Sequence, residues 1–279
     1  MPYLLTPLTI RSLTLRNRLV LPPMATSKAH PDGSVGDDLL AYYAEKSRGA
    51  ALGLAITEHC FISEHGRNRI GQPSVADDAM IPGLTALAEV FHRNGVPAVV
   101  QISHAGAASV EPDKPRVGPS DVATPFGSGR PPRPLTPAEI AEVPGQFAAA
   151  ARRVKEAGFD GVELHCAHGY LLNQFLSPLT NRRTDHYGGS LENRIRLSIE
   201  TIRAVRAEVG PEFPLLLRLG ARDYIEGGTV LADSIEAALA DRRALEGQQA
   251  PELARLTEIE HGLELLEGRM AASRARFGD

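Results

Sequence analysis

The sequence predicts an α/β protein of the TIM (β/α)8-barrel type, incomplete at about five strand–helix units and followed by a C-terminal helical tail. Five short runs of Val, Ile and Leu alternate with helical patterns, which is typical of parallel strands covered on both faces. A doubly wound open sheet shows the same alternation. Polar residues near the C-terminal end of each run favour the barrel, because a barrel gathers such residues around one mouth.

The predicted strands follow one another in chain order, and a helix precedes each of the last four. The helix before the fourth strand has the clearest boundaries. Thr136 is its expected N-cap, Pro137 suits the first helical position, and Glu139 completes a capping box. Gly158 is expected to end this helix. The predicted strands are residues 18–24, 53–58, 98–106, 161–169 and 214–220.

Alternation along the strands assigns several side chains to the mouth of the barrel. Residues two apart on a strand share a face, so one face of each run can be followed to its end. Met24 and Glu58 are expected to close the first two strands. The polar side chains predicted to face inward on the other three are Gln101, Ser103, Glu163, His165 and Arg218.

Composition and charge limit the classes of function. The chain has 279 residues, 43% hydrophobic and 23% charged, and a net charge of −4, without a strong basic run. Neither a nucleic-acid partner nor a membrane partner is expected, since no apolar run approaches the roughly 18 residues of a membrane span. The N-terminus lacks the pattern of a signal peptide. Two cysteines, Cys60 and Cys166, are too few for a disulfide framework. We expect a cytoplasmic protein.

The segment after the fourth strand is the strongest candidate for a working site. His165, His168 and Tyr170 lie within six positions, and loops held by a rigid scaffold often carry chemistry. Three other interpretations of these and nearby residues remain open. The histidines could be a metal pair, although no third and fourth ligands occur at suitable spacing. Tyr170 could also be a packing residue, and Arg218 could form an internal ion pair with Glu163.

Four segments carry a resemblance to a known family. They are LTIRSLTLRNRLVLPPMAT, VVQISHAG, AGFDGVELHCAHGYLLNQFLSPLTNRRTDHYGGSLENR and LLLRLGARDY, and they run in order over residues 1 to about 235. The chain resembles the old yellow enzyme family of FMN-dependent oxidoreductases. Its likeness is closer to the 2,4-dienoyl-CoA reductase and enoate reductase branch.

This resemblance implies a cofactor and a reaction. FMN would lie across the barrel mouth, NAD(P)H would reduce it, and hydride would pass to the β-carbon of a small-molecule activated alkene. Arg218 would place a fixed cation beside the flavin and stabilise its reduced, anionic form. Ala25 lacks the hydrogen-bonding group that some relatives carry at this position. The residues implied to contact the cofactor are Pro23, Met24, Ala25, Gln101 and Arg218.

The resemblance also implies roles for the residues after the fourth strand. His165 and His168 would hydrogen-bond the carbonyl oxygen of the substrate, where negative charge develops. Tyr170 would deliver a proton to the α-carbon as a general acid. Arg183, Asp185 and the glycines that follow would hold the shape of the loop.

The likeness ends near residue 240, which divides the chain into a barrel region, 1–240, and a tail, 241–279. A coiled-coil seam or a single amphipathic helix would both fit the spacing of apolar residues in the tail. The tail could therefore join two copies, or a completing chain, through residues 253–270. A catalytically inactive barrel fragment that serves as an assembly module is the alternative function. The seam residues are Leu256, Ile259, Leu263, Leu266 and Met270.

Overall fold

A parallel five-stranded sheet is the centre of the computed structural model, which describes residues 3–111, 114–125 and 129–246. The sheet strands are β3 (Val20–Leu21), β4 (Leu54–Phe61), β5 (Ala98–Ser103), β8 (Gly161–Cys166) and β9 (Leu215–Leu219). The strand order is β3-β4-β5-β8-β9, so each crossover joins neighbouring parallel strands. The chain therefore forms the barrel-type α/β sheet that its sequence predicts, with β3 and β9 at the edges of the described sheet.

Helices cover the outer face of this sheet and form the main hydrophobic core with it. Val100, Ile102, Val162 and Leu164 of the central strands are fully buried there, together with Phe147 of the third helix. Burial of this kind stabilises a domain by about 25 cal/mol for each Å² of apolar surface removed from water. The helices are α1 (Asp37–Ser47), α2 (Ile81–Arg93), α3 (Pro137–Glu156), α4 (Leu171–Leu176), α5 (Leu191–Val209) and α6 (Leu231–Glu246).

A second, smaller core closes the N-terminal end of the inner face. Strands β1 (Leu8–Ile10) and β2 (Leu13–Leu15) form an antiparallel hairpin, and Leu15 packs there with Ile56 and Val99. The inner face is thus apolar at its base. The polar side chains lie above this layer, towards the C-terminal ends of the strands.

A β-bulge interrupts the ladder between β4 and β5. Thr57 is opposite Val100, whereas Cys60 is opposite Ile102. Two residues of β4, Glu58 and His59, therefore lie opposite one residue of β5. Such an insertion bends a strand locally and occurs often beside functional sites.

Several predicted strand boundaries are wrong. Strands β5 and β8 end at Ser103 and Cys166, each three residues before its predicted end. The first strand covers only Val20–Leu21, because Pro22 and Pro23 have no N–H group to donate to a ladder. Met24 therefore lies in the following loop and does not end the strand. Glu58 lies inside β4, which continues through the bulge to Phe61. The tail residues 247–279, with the predicted seam, lie outside the described residues.

Short elements also order the long segment between β5 and α3. Strand β6 (Val117–Gly118) pairs in parallel with β7 (Arg133–Pro134). Arg116 is buried and donates hydrogen bonds to the carbonyl oxygens of Ser109 and Glu111. In its described part, the segment packs against the domain, and Val117, Ser120 and Thr124 are buried.

The capping box of α3 is confirmed. The Thr136 hydroxyl accepts a hydrogen bond from the backbone N–H of Glu139, whose carboxylate accepts one from the N–H of Thr136. Helix α3 ends at Glu156, and Gly158 follows with a φ of +87°. This left-handed conformation favours glycine and ends the helix where the sequence predicts.

Thr136→Ala is expected to lower the free energy of unfolding by about 1 kcal/mol, because it leaves an N–H group of the first turn without its partner. Urea denaturation followed by circular dichroism measures this change. Glu142→Gln, at an exposed site on the same helix, is the control and should stay within about 0.5 kcal/mol of the parent. Equal effects of the two substitutions would contradict the capping role.

Candidate active site

The turn between β8 and α4 places three predicted site residues at one end of the sheet. His165 is near the end of β8, and Tyr170 is the N-cap of α4. His168 has a φ of +57° and is followed by Gly169 at +74°. A non-glycine residue in this region is strained. The Asn173 side chain accepts a hydrogen bond from the Gly169 N–H at 2.8 Å and so helps to hold the turn.

Four aromatic rings meet above the polar part of the inner face. The ring centroid of His165 lies 4.7 Å from that of Tyr170 and 5.1 Å from that of His168. His59, on the bulge of β4, lies 5.1 Å from Tyr170. The structure thus brings together the three predicted residues and adds His59 to them.

The histidines of this cluster are held in their neutral forms. Burial, followed by the nearby His59, His168 and Arg218, puts the pKa of His165 well below its ordinary value. Burial and Arg218 also lower the pKa of His168. The Nδ1 atom of His165 is buried without a hydrogen-bond partner among the described residues. A buried imidazole nitrogen without a partner is costly unless a ligand meets it.

Tyr170 retains its proton at neutral pH. Burial raises the pKa of its hydroxyl, while Arg69 and a hydrogen bond from Asn68 act in the opposite direction. Asn68 Nδ2 is 2.9 Å from Tyr170 Oη, and His59 Nε2 is 3.4 Å away. A protonated phenol held by hydrogen bonds can act as a general acid.

Gln101, Glu163 and Arg218 lie on neighbouring strands below the rings. Gln101 donates a hydrogen bond from Nε2 to Glu163 Oε1 at 2.7 Å. Arg218 is opposite His165 in the ladder between β8 and β9. Burial raises the pKa of Glu163, while the hydrogen bond from Gln101 and the charge of Arg218 act in the opposite direction. No ion pair joins Arg218 to Glu163 in the described part of the chain.

The loop after β3 reaches the same end of the sheet. Its backbone is fixed by Thr26, which donates from its N–H to Glu58 Oε2 at 2.9 Å and from its hydroxyl to Oε1. Met24 is 60% exposed, and Ala25 is exposed beside it, whereas Pro23 is half-buried. An exposed Met on an anchored loop offers a flat ligand an adaptable apolar surface.

Comparison with known proteins decides the family. Residues 3–261 match the NADH:flavin oxidoreductase / NADH oxidase family. The chain belongs to this family. Its resemblance to the old yellow enzymes is confirmed, and FMN is the flavin of the family.

Individual relatives agree with this placement. The chain is 43% identical to an NADH oxidase of Thermoanaerobacter brockii over 236 residues, which are 83% of this chain and 36% of that protein. It is 39% identical to an NADPH dehydrogenase of Halalkalibacterium halodurans over 81% of this chain and 65% of that protein. The structure of morphinone reductase in complex with tetrahydroNAD has a TM-score of 0.77 at 35% identity, covering 88% of this chain and 72% of the other. The chain thus spans between about a third and two thirds of these two curated relatives.

The described residues fit the ring system of the family's cofactor. Gln101 on β5 and Arg218 on β9 carry hydrogen-bond donors on either side of β8, and Met24 is an exposed apolar side chain on the loop after β3. The Nδ1 atom of His165, on β8 between them, is buried without a partner among the described residues. Among the described residues, no group of three or more His, Cys, Asp or Glu side chains could hold a metal ion. No described helix has the length and apolar content of a membrane-spanning segment.

Sequence reasoning missed His59 in β4 and two residues of the loop after β4, Asn68 and Gln72. All three are buried; His59 and Asn68 contact Tyr170, and Gln72 contacts His59. The prediction ended the second strand at Glu58, so His59 fell outside the inward-facing set. The polar stretch GRNRIGQ, which begins at Gly66 in the loop after the strand, was the available signal for Asn68 and Gln72.

Two buried histidines should make the fold sensitive to acid. Burial lowers the pKa values of His59 and His104 from 6.5 to about 4. Below about pH 6.5 the unfolded chain takes up protons that the folded chain excludes, so stability is full above pH 6.5 and is lost as the pH falls towards 4. Each histidine contributes at most about 3 kcal/mol to this loss.

Urea denaturation at about pH 7 and about pH 5 measures this effect. His104→Asn is expected to reduce the difference in stability between the two pH values, because the asparagine side chain does not titrate. Asn can still accept the hydrogen bond that Gly106 N–H donates to His104. His186→Asn, at an exposed site, is the matched control and should leave the difference unchanged. An undiminished difference in His104→Asn would contradict the assignment.

Proposed function

We propose that this chain carries the flavin- and substrate-binding mouth of an FMN-dependent oxidoreductase. It uses NAD(P)H to reduce the activated C=C bond of an α,β-unsaturated carbonyl or enoyl substrate. One observation carries the proposal: neutral His165 and His168 and protonated Tyr170 form one ring cluster beside Arg218. The names of the NADH oxidase, NADPH dehydrogenase and morphinone reductase relatives support the use of a nicotinamide cofactor.

Five residues would hold the ring system of FMN. Arg218 supplies a fixed positive charge, which favours the reduced and anionic form. Gln101 supplies an amide whose position is set by its hydrogen bond to Glu163. Pro23, Met24 and Ala25 supply the apolar edge of the loop after β3. FMN, when bound, supplies hydride transfer between NAD(P)H and the alkene.

The ring cluster would bind and polarise the substrate. Neutral imidazoles of His165 and His168 can each donate one hydrogen bond to a carbonyl oxygen, and such donors stabilise the negative charge that develops there. Tyr170 can give its Oη proton to the α-carbon. Because all three side chains belong to β8 and its turn, the backbone fixes their spacing before the substrate binds.

Binding and single-turnover measurements test this proposal. The purified chain is expected to be yellow, to bind FMN with quenching of flavin fluorescence, and to be reoxidised by an enone after anaerobic reduction with NAD(P)H. Riboflavin, measured in parallel, shows how much of the affinity comes from the ring system. A colourless chain that does not bind FMN would favour the inactive assembly module instead.

Arg218→Gln is expected to weaken FMN binding by about 10- to 100-fold, because a charge-assisted hydrogen bond contributes about 1.5–3 kcal/mol. Fluorescence titration measures the dissociation constant. Arg222→Gln removes the same charge from an exposed site nearby and should leave it unchanged. Similar losses in both variants would show that net charge alone explains the effect.

A further inference from the structure

Two backbone groups fix the orientation of the Gln72 side-chain amide. Its Oε1 atom accepts a hydrogen bond from the N–H of Asn68 at 2.7 Å, and its Nε2 atom donates to the carbonyl oxygen of His59 at 3.0 Å. Exchanging the amide oxygen and nitrogen would place like groups against each other at both contacts. The NH2 group of Gln72 therefore faces His59.

This orientation selects one tautomer of His59. Gln72 Nε2 is 2.7 Å from His59 Nδ1, so Nδ1 must accept the hydrogen bond. The Ser103 hydroxyl lies on the same side, 3.4 Å from Nδ1. His59 is buried, so the neutral ring carries its hydrogen on Nε2.

The hydrogen on Nε2 is directed at Tyr170. Nε2 is 3.4 Å from Tyr170 Oη, and Asn68 Nδ2 donates to the same oxygen from 2.9 Å. The phenol oxygen thus faces two N–H donors. The hydrogen of the hydroxyl group finds no acceptor in either donor, so it points towards a third group.

We propose that Gln72, His59 and Asn68 are positioning residues that keep the Tyr170 hydroxyl as a donor towards the bound substrate. This inference rests on the proposed function. In the step they serve, the Oη–H bond breaks, and the proton joins the electron pair at the α-carbon of the enolate that hydride addition leaves. The two N–H donors then stabilise the negative charge that remains on Oη until solvent returns a proton.

The tautomer of His59 is the first test, because it can be measured on the intact protein. Two-bond 1H–15N correlation spectra distinguish a ring with its hydrogen on Nε2 from one with its hydrogen on Nδ1. The parent is expected to show the Nε2–H form, and Gln72→Leu is expected to lose this preference. An Nδ1–H form in the parent would overturn the proposal without any variant.

The pKa of Tyr170 is the second test. Fluorotyrosine labelling gives one 19F signal for each tyrosine, and Tyr170→Phe identifies the signal of residue 170. His59→Leu and Asn68→Leu are expected to raise the pKa of Tyr170, whereas His59→Gln, which can still donate, should largely restore it. The signals of Tyr43 and Tyr187 report any general change of the fold. An unchanged Tyr170 pKa in both leucine variants would overturn the proposal.

Stopped-flow kinetics separate this inference from the function on which it rests. His59→Leu should slow the alkene half-reaction by about tenfold, since one lost hydrogen bond costs about 1 kcal/mol or slightly more. Reduction of the flavin by NAD(P)H should not change. If Tyr170→Phe leaves the alkene half-reaction intact while the tautomer and pKa results hold, the proposed function fails and the hydrogen-bond arrangement stands.

Discussion

Tyr170→Phe is expected to slow the alkene half-reaction by about 10²- to 10⁴-fold and to leave flavin reduction by NAD(P)H nearly unchanged. The substitution removes the Oη proton but keeps the ring that packs between His165 and His59. Anaerobic stopped-flow spectroscopy measures the two half-reactions separately. Equal losses in both would contradict a role in proton transfer.

Tyr187→Phe is the matched control for this measurement. The Tyr187 hydroxyl donates to Glu200 at 3.0 Å and belongs to the scaffold of the loop after α4. Its removal should change neither half-reaction by more than a few-fold. A large effect there would indicate that the loop as a whole, and not the Tyr170 proton, governs the rate.

Gln174→Leu is expected to lower the free energy of unfolding by about 2–6 kcal/mol. The Gln174 amide is 1% exposed and connects two turns: it accepts from Ala107 N–H and donates to the carbonyl oxygens of Ala105 and Gly169. Leucine fills the volume but leaves the Ala107 N–H and the Gly169 carbonyl oxygen unpaired, and each such group costs about 1–3 kcal/mol. The Ala105 carbonyl oxygen keeps the hydrogen bond that it accepts from Ala108 N–H. Chemical denaturation measures the change.

Gln146→Leu, at a half-exposed position of α3, is the control for this substitution and should change stability by no more than about 0.5 kcal/mol. A loss below about 1 kcal/mol in Gln174→Leu would show that water replaces the amide.

The regular part of the fold could be predicted from short-range patterns. Apolar runs followed by turn residues located all five sheet strands, and Thr136 with Glu139 located the start of α3. The errors lie where backbone chemistry or sheet geometry overrides alternation. Two prolines end β3 early, and the bulge carries β4 three residues beyond its predicted end at Glu58.

The part of the site that could be predicted also depends on short-range patterns. His165, His168 and Tyr170 are close in sequence, so a single turn keeps them together. His59 is more than 100 residues from Tyr170 and reaches it only through the order of the strands. The partners of Gln72 depend on a loop conformation that alternation along a strand does not describe. The roles of Gln101 and Arg218 rest on family resemblance and remain proposals.

The bulge in β4 places two consecutive side chains of one strand at the same level of the sheet. A regular strand presents one side chain to each face about every 7 Å, so two adjacent residues serve opposite sides. Here Glu58 and His59 lie opposite the same residue of β5. Glu58 braces the loop that carries Met24, and His59 reaches the turn that carries Tyr170. Because of this one added residue, β4 supports both the loop that carries Met24 and the turn that carries Tyr170. Deleting the added residue would remove the contact to one of them.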